Sequence, residues 1–247
     1  DLACGFHQQN DFSPFNHPIS TIVFYICKVF PFKFESVMFY MSVFLAPLIA
    51  LPVILISNEL KALKAGAVAA FMSVILPSYL SRTSPGYFDS DMLNVTFALF
   101  IIYFLIRLLN TNEQKFIVLP GVFVSLYLWW YQSSYALILS IFFMFLLYTL
   151  VFMRDRFQNY QAIFFMFISI VSSNAFTKDP LIANKILVFN LAVIALFFSL
   201  FCKYKNLLSA RKLAIFLTLM LAIFIYFGGF YFITSKIGIY VFKGNEI

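Results

Sequence analysis

Residues Ser81-Arg82-Thr83-Ser84-Pro85-Gly86-Tyr87-Phe88-Asp89-Ser90-Asp91 form a polar loop with two carboxylates one residue apart and an arginine seven residues before the first. Hard divalent cations such as Mg²⁺ or Mn²⁺ take oxygen ligands, commonly one or two carboxylates plus substrate phosphates. Asp89, Asp91 and Arg82 therefore suit a cation that bridges to a phosphorylated substrate. The same residues also suit a solvated turn in which Asp89 or Asp91 caps the following helix. Spacing alone leaves both readings open.

The elements that must position this loop are membrane helices. The chain is 63% hydrophobic, 11% charged and holds 35 phenylalanines in 247 residues, with a mean hydropathy of +0.93. A soluble domain needs far more surface charge. Apolar runs of about 17 to 25 residues, enough to cross the bilayer as helices, recur along it. The pattern predicts an all-α polytopic membrane protein with about eight spans, at 36–57, 65–80, 92–109, 116–130, 134–153, 159–173, 182–202 and 213–233. Segment 19–31 is apolar but too short to cross, and reads as an interfacial or re-entrant helix ending at Pro31.

Basic residues set the orientation. One side carries ten Lys and Arg, among them Lys61, Lys64, Arg107, Lys115 and Lys203, against Glu59, Glu113 and Asp155, for a net +7. The other carries seven basic and seven acidic residues, and so is neutral. The positive face is expected to be cytoplasmic, which turns Arg82, Asp89 and Asp91 outward. Excess positive charge on that face serves orientation and anionic lipid head groups, and is no argument for nucleic acid. The span centres hold almost no ionisable group, which counts against a proton- or sodium-coupled transporter or flippase.

A second outer feature is Leu128-Trp129-Trp130-Tyr131-Gln132-Ser133-Ser134-Tyr135, which contains both tryptophans of the chain. It reads either as an interfacial aromatic belt or as rings and hydroxyls (Tyr131, Ser133, Tyr135) offered to a sugar or diphosphate at the membrane surface. A third is Tyr240-Val241-Phe242-Lys243 after the last span. His7 and His17 have no Cys or acid nearby at zinc-ligand spacing, and Cys4, Cys27 and Cys202 are scattered. The chain starts on Asp1 in a polar stretch without a signal-peptide core, so it is expected to be an internal piece of a longer one.

In order, Gly5-Phe6-His7-Gln8, Pro31-Phe32-Lys33-Phe34-Glu35-Ser36, the paired-acid loop, Leu128-Trp129-Trp130-Tyr131 with Ser133-Ser134-Tyr135, and Tyr240-Val241-Phe242-Lys243 resemble the catalytic subunit of oligosaccharyltransferase. The bacterial single-subunit form is the best match, over nearly the whole chain. The resemblance implies a GT-C type membrane domain and protein N-glycosylation in a bacterial inner membrane. There a glycan passes from a polyprenyl diphosphate-linked oligosaccharide to asparagine in acceptor protein sequons, on the periplasmic face. It implies Mg²⁺ or Mn²⁺ as cofactor, with Asp89 as metal ligand and Asp91 as its companion. It further implies donor binding by Arg82 near the lipid diphosphate, by Tyr131 and Ser133 on the carrier side, and by Tyr240 at the start of a mobile outer loop.

On that pattern, 1–35 is an outer loop with the interfacial helix, 36–233 the transmembrane domain and 234–247 the start of the mobile loop. The family's first acidic motif is expected before residue 1, and its later glutamate and sequon-reading soluble domain after Ile247, so these residues alone are expected to be inactive. Gln132 stands where close bacterial relatives have proline. The alternative enzyme is another GT-C glycosyltransferase using a polyprenyl-linked sugar, acting on a lipid rather than a protein.

Overall fold

A computed structural model describes residues 18–111, 113–153, 155–173, 180–203 and 209–224. Among them all regular structure is helical. The order is α1 Pro18–Val29, α2 Phe34–Leu45, a 3₁₀ turn Ala46–Ile49, α3 Ala50–Glu59, α4 Leu63–Ile75, α5 Pro77–Thr83 and α6 Asp91–Thr111. It continues with α7 Lys115–Trp130, a 3₁₀ turn Gln132–Ser134, α8 Tyr135–Phe152, α9 Phe157–Val171, α10 Pro180–Lys203 and α11 Ala210–Phe224.

Four helices among the described residues are long and apolar enough to cross a membrane: Phe34–Glu59, Asp91–Thr111, Tyr135–Phe152 and Lys185–Lys203. The first is α2 and α3 joined through the 3₁₀ turn. The expected span 65–80 is instead two helices, Leu63–Ile75 and Pro77–Thr83, bent by 52°. The cause is local: the ring of Pro77 disfavours helical backbone at the residue before it, and Leu76 accordingly sits at ψ 122°. The expected spans at 116–130 and 159–173 correspond to shorter apolar helices, Lys115–Trp130 and Phe157–Val171. The span expected at 213–233 begins in α11, and its second half lies outside the described residues.

The centre of the molecule is the α7–α9 pair, flanked by α6, α8, α10 and α11, while α1 to α5 build out from the other side of α6. Every residue from Asn159 to Phe167 of α9 is buried, the polar Asn159 and Gln161 included, as expected of a helix enclosed by neighbours on all sides. Gly121 permits the close crossing: a Cβ there would lie 2.9 Å from Phe165 Cβ and 3.0 Å from the Phe165 backbone. Ser169 Oγ donates to the carbonyls of Gly121 and Phe165, at 2.8 Å each. Without a hydrophobic force between helices in lipid, such small-residue contacts and buried hydroxyl bonds carry the association. Phenylalanines fill the rest, with Phe164 meeting Phe197 and Phe201 edge-on at 5.2 and 5.3 Å.

Candidate functional site

The paired-acid loop links α5 to α6 and is tied to three other parts of the fold. Gly86 makes the tight turn, at φ +84°, a conformation that favours glycine. Its N–H donates to the Phe39 carbonyl at 3.0 Å, and the Phe39 ring would meet a Cβ at 3.1 Å. Ser42 Oγ, fully buried, donates to the Ser84 carbonyl at 3.0 Å. Tyr79 Oη lies 2.9 Å from the Ala46 carbonyl and 3.0 Å from that of Met92. From α7, Trp130 Nε1 donates to the Ser90 carbonyl at 2.8 Å.

The two carboxylates differ. Asp91 opens α6 as its first residue, one position inside the helix rather than at its cap. Its Oδ2 accepts from Arg82 Nη1 at 2.9 Å and its Oδ1 from Asn94 Nδ2 at 3.0 Å. Asp89 is exposed, and its Oδ1 accepts from the Ser90 N–H at 2.6 Å and Ser90 Oγ at 3.2 Å. Among the described residues Asp89 Oδ2 has no partner, so this carboxylate keeps coordinating capacity that Asp91 has already used. No cluster of three His, Cys, Asp or Glu forms among the described residues. Asp89 could therefore supply one oxygen ligand to a hard cation, the donor type Mg²⁺ and Mn²⁺ prefer.

The Trp130 bond also brings the Trp-Trp-Tyr segment beside the acid loop, so Arg82, Asp89, Asp91, Tyr131 and Ser133 belong to one end of the helices. Tyr131 is half-buried and Ser133 exposed. Trp130 itself is 3% exposed. It is an internal strut, which excludes it from a lipid-facing belt and from stacking on a sugar. Tyr135 is 1% exposed, and its hydroxyl is bonded to Ser173 Oγ. The sequence reading offered that hydroxyl to a ligand; the helical phase of α8 turns it inward instead. Tyr240 lies outside the described residues.

The opposite end holds the Arg107–Glu59 pair. Arg107 Nη1 pairs with the carboxylate of Glu59, which also accepts from Asn110 Nδ2 at 3.0 Å, and Arg107 lies over the Phe116 ring. A cavity of about 50 Å³ between α7, α9 and α10, lined by Gln114, Gln158, Gln161 and Cys202 among others, is also at that end. It is far below the roughly 300 Å³ at which ligand pockets begin.

Sequence reasoning missed Ser42, Tyr79 and Trp130 as the residues that hold the loop. For Trp130 the only available signal was that both tryptophans stood at the end of one apolar run.

The family model for oligosaccharyl transferase STT3, N-terminal, matches residues 1–245. The chain belongs to the STT3 family. It is 34% identical over 246 residues to the undecaprenyl-diphosphooligosaccharide–protein glycotransferase of Campylobacter jejuni subsp. jejuni serotype O:2, and equally to that of Campylobacter jejuni strain RM1221. All of this chain is matched in each case, but only 33% of the relative, so the STT3 chain spans about a third of the length of these curated relatives. Its fold resembles the crystal structure of the Archaeoglobus fulgidus oligosaccharyltransferase in complex with Zn and sulfate. The TM-score is 0.59 and the identity 15%, covering 91% of this chain and 32% of that one. The same archaeal enzyme tethered to an acceptor peptide containing the NVT sequon gives a TM-score of 0.54 at 14% identity, over 90% of this chain and 30% of that one. At such identities the likeness concerns the fold, and it agrees with the helical architecture of the STT3 chain.

Proposed function

We propose that this STT3 chain forms the donor side of an oligosaccharyltransferase, an enzyme that moves a glycan from a polyprenyl diphosphate carrier to the asparagine amide of acceptor sequons. The observation that carries this reading is the asymmetry of the acid pair. Asp91 is engaged by Arg82 and Asn94, while Asp89 is exposed beside it, within a chain of this family.

In this reading Asp89 is the metal ligand, for Mg²⁺ or Mn²⁺, and Asp91 holds the loop and Arg82 behind it. A bound dication supplies Lewis acidity and charge screening for a departing diphosphate. Arg82, two-thirds exposed despite its pairing, is free to turn its remaining donors to the lipid diphosphate. Tyr131 and Ser133 line the carrier side, and Tyr240, outside the described residues, joins them in donor binding on the family pattern. Residues 36–233 act as an eight-span membrane unit in a bacterial inner membrane, with the acid loop on the periplasmic face. The charge partition between the two ends supports that orientation.

The test is turnover by the protein from its complete gene, purified with lipid-linked oligosaccharide, an Asn-x-Thr peptide and Mn²⁺, read by mass spectrometry. Glycopeptide from the wild type and its loss in Asp89→Ala are expected. Transfer of sugar to a lipid acceptor instead would replace this function with a lipid-directed glycosyltransferase.

A further inference from the structure

We propose that Trp130 is a positioning residue for Asp89: its indole N–H, held on the Ser90 carbonyl, sets the backbone between the two carboxylates and so the metal-binding geometry of the loop. This rests on the reading of Asp89 as a metal ligand.

The argument begins with where the tethers fall. Gly86–Phe39, Ser42–Ser84 and Tyr79–Met92 hold the flanks of the loop. From outside the loop, the Trp130 side chain reaches the residue between Asp89 and Asp91. The Ser90 carbonyl belongs to the peptide unit that joins it to Asp91, so a bond there orients the plane on which Asp91 is carried and limits ψ of Ser90. The Leu93 N–H also reaches that carbonyl, at a long 3.4 Å, so the indole makes the shorter and stronger of these two contacts.

The donor is in turn well fixed. Trp130 is 3% exposed and packed in a cluster with Val23, Met41, Ala46 and Met92. Its ring lies 6.2 Å from that of Phe97. A buried indole N–H needs an acceptor, and here that acceptor lies 40 residues away in sequence. Trp130 also directly precedes Tyr131, so the same side chain joins the acid loop to the segment proposed to line the carrier. Ring packing alone would require only bulk at this position; the directed N–H is what the loop uses.

Trp130→Phe keeps an aromatic ring and removes that donor. Partners that orient a metal ligand typically change metal affinity by 10- to 100-fold when lost. In the complete protein, Mn²⁺ binding followed by electron paramagnetic resonance should weaken by about that factor in Trp130→Phe. Amide hydrogen exchange across 86–91 should accelerate by more than the fall in melting temperature from the smaller buried ring accounts for. Asp89→Ala should abolish specific Mn²⁺ binding. Wild-type Mn²⁺ affinity in Trp130→Phe, with Asp89→Ala still inactive in binding, overturns the role of Trp130 and leaves the metal-ligand reading standing. Equal Mn²⁺ binding by wild type and Asp89→Ala sinks that reading, and the Trp130 role with it.

Discussion

Arg82 Nη1 and Asp91 Oδ2 stand 2.9 Å apart, so of the two acids in the loop one is already paired with a cation and the other, Asp89, is not. The pair therefore has a division of labour. In the proposed reading Asp91 anchors the loop and Asp89 is the ligand.

Replacing the two acids should separate these roles. Asp89→Ala should lower turnover far more than Asp91→Ala, because the first removes the proposed ligand and the second only its support. Support residues typically cost 10- to 100-fold. The measurement is initial rate of glycopeptide formation at saturating Mn²⁺. Equal and mild losses would reduce the loop to a solvated helix start.

Orientation can be read by labelling. A cysteine at position 90 should react with a membrane-impermeant reagent in cells with a permeabilised outer membrane, and one at position 155 should not. Reaction at 155 with protection at 90 would invert the topology.

The α7–α9 crossing should tolerate no added bulk. Gly121→Ala introduces a Cβ within 2.9 Å of Phe165, and overpacking of this kind costs about 1–3 kcal/mol. A lowered thermal-aggregation midpoint in detergent is expected, and Gly121→Leu should prevent accumulation of folded protein. An unchanged midpoint for both would mean that these helices are not closely packed.

At the other end, the Glu59 side chain is 6% exposed and that of Arg107 33%. Breaking a buried pair by removing one partner costs about 3–5 kcal/mol, and a partly hydrated cation brings that down. Arg107→Met should destabilise clearly, and Glu59→Gln with Arg107→Met should restore much of the loss. A double variant no better than Arg107→Met would show that Glu59 does not depend on its partner.

Much of the helical framework could be read from apolar run length, because lipid imposes one length and one backbone solution. The bend at Leu76 was legible too, since Pro77 announces it, yet run length alone joined the two pieces into a single span. The tethers of the acid loop were not legible. Ser42, Tyr79 and Trp130 all donate to main-chain carbonyls, and a carbonyl has no residue type by which a sequence could advertise it. Trp130 was further disguised, because tryptophan at a span end has a common interfacial explanation. Tyr135 was misjudged for a different reason. The short 3₁₀ turn Gln132–Ser134 sets the phase of α8, and that phase decides which of the nearby hydroxyls is turned inward.

The seating of Trp130 has an optical consequence. The chain holds two tryptophans, both in the last turn of α7, so Trp129→Phe leaves one indole whose N–H is bonded to the Ser90 carbonyl. Indole emission responds to the loss of such a bond and to the entry of water. A single-tryptophan version of this protein would thus report the state of the acid loop by its own fluorescence, without an attached dye.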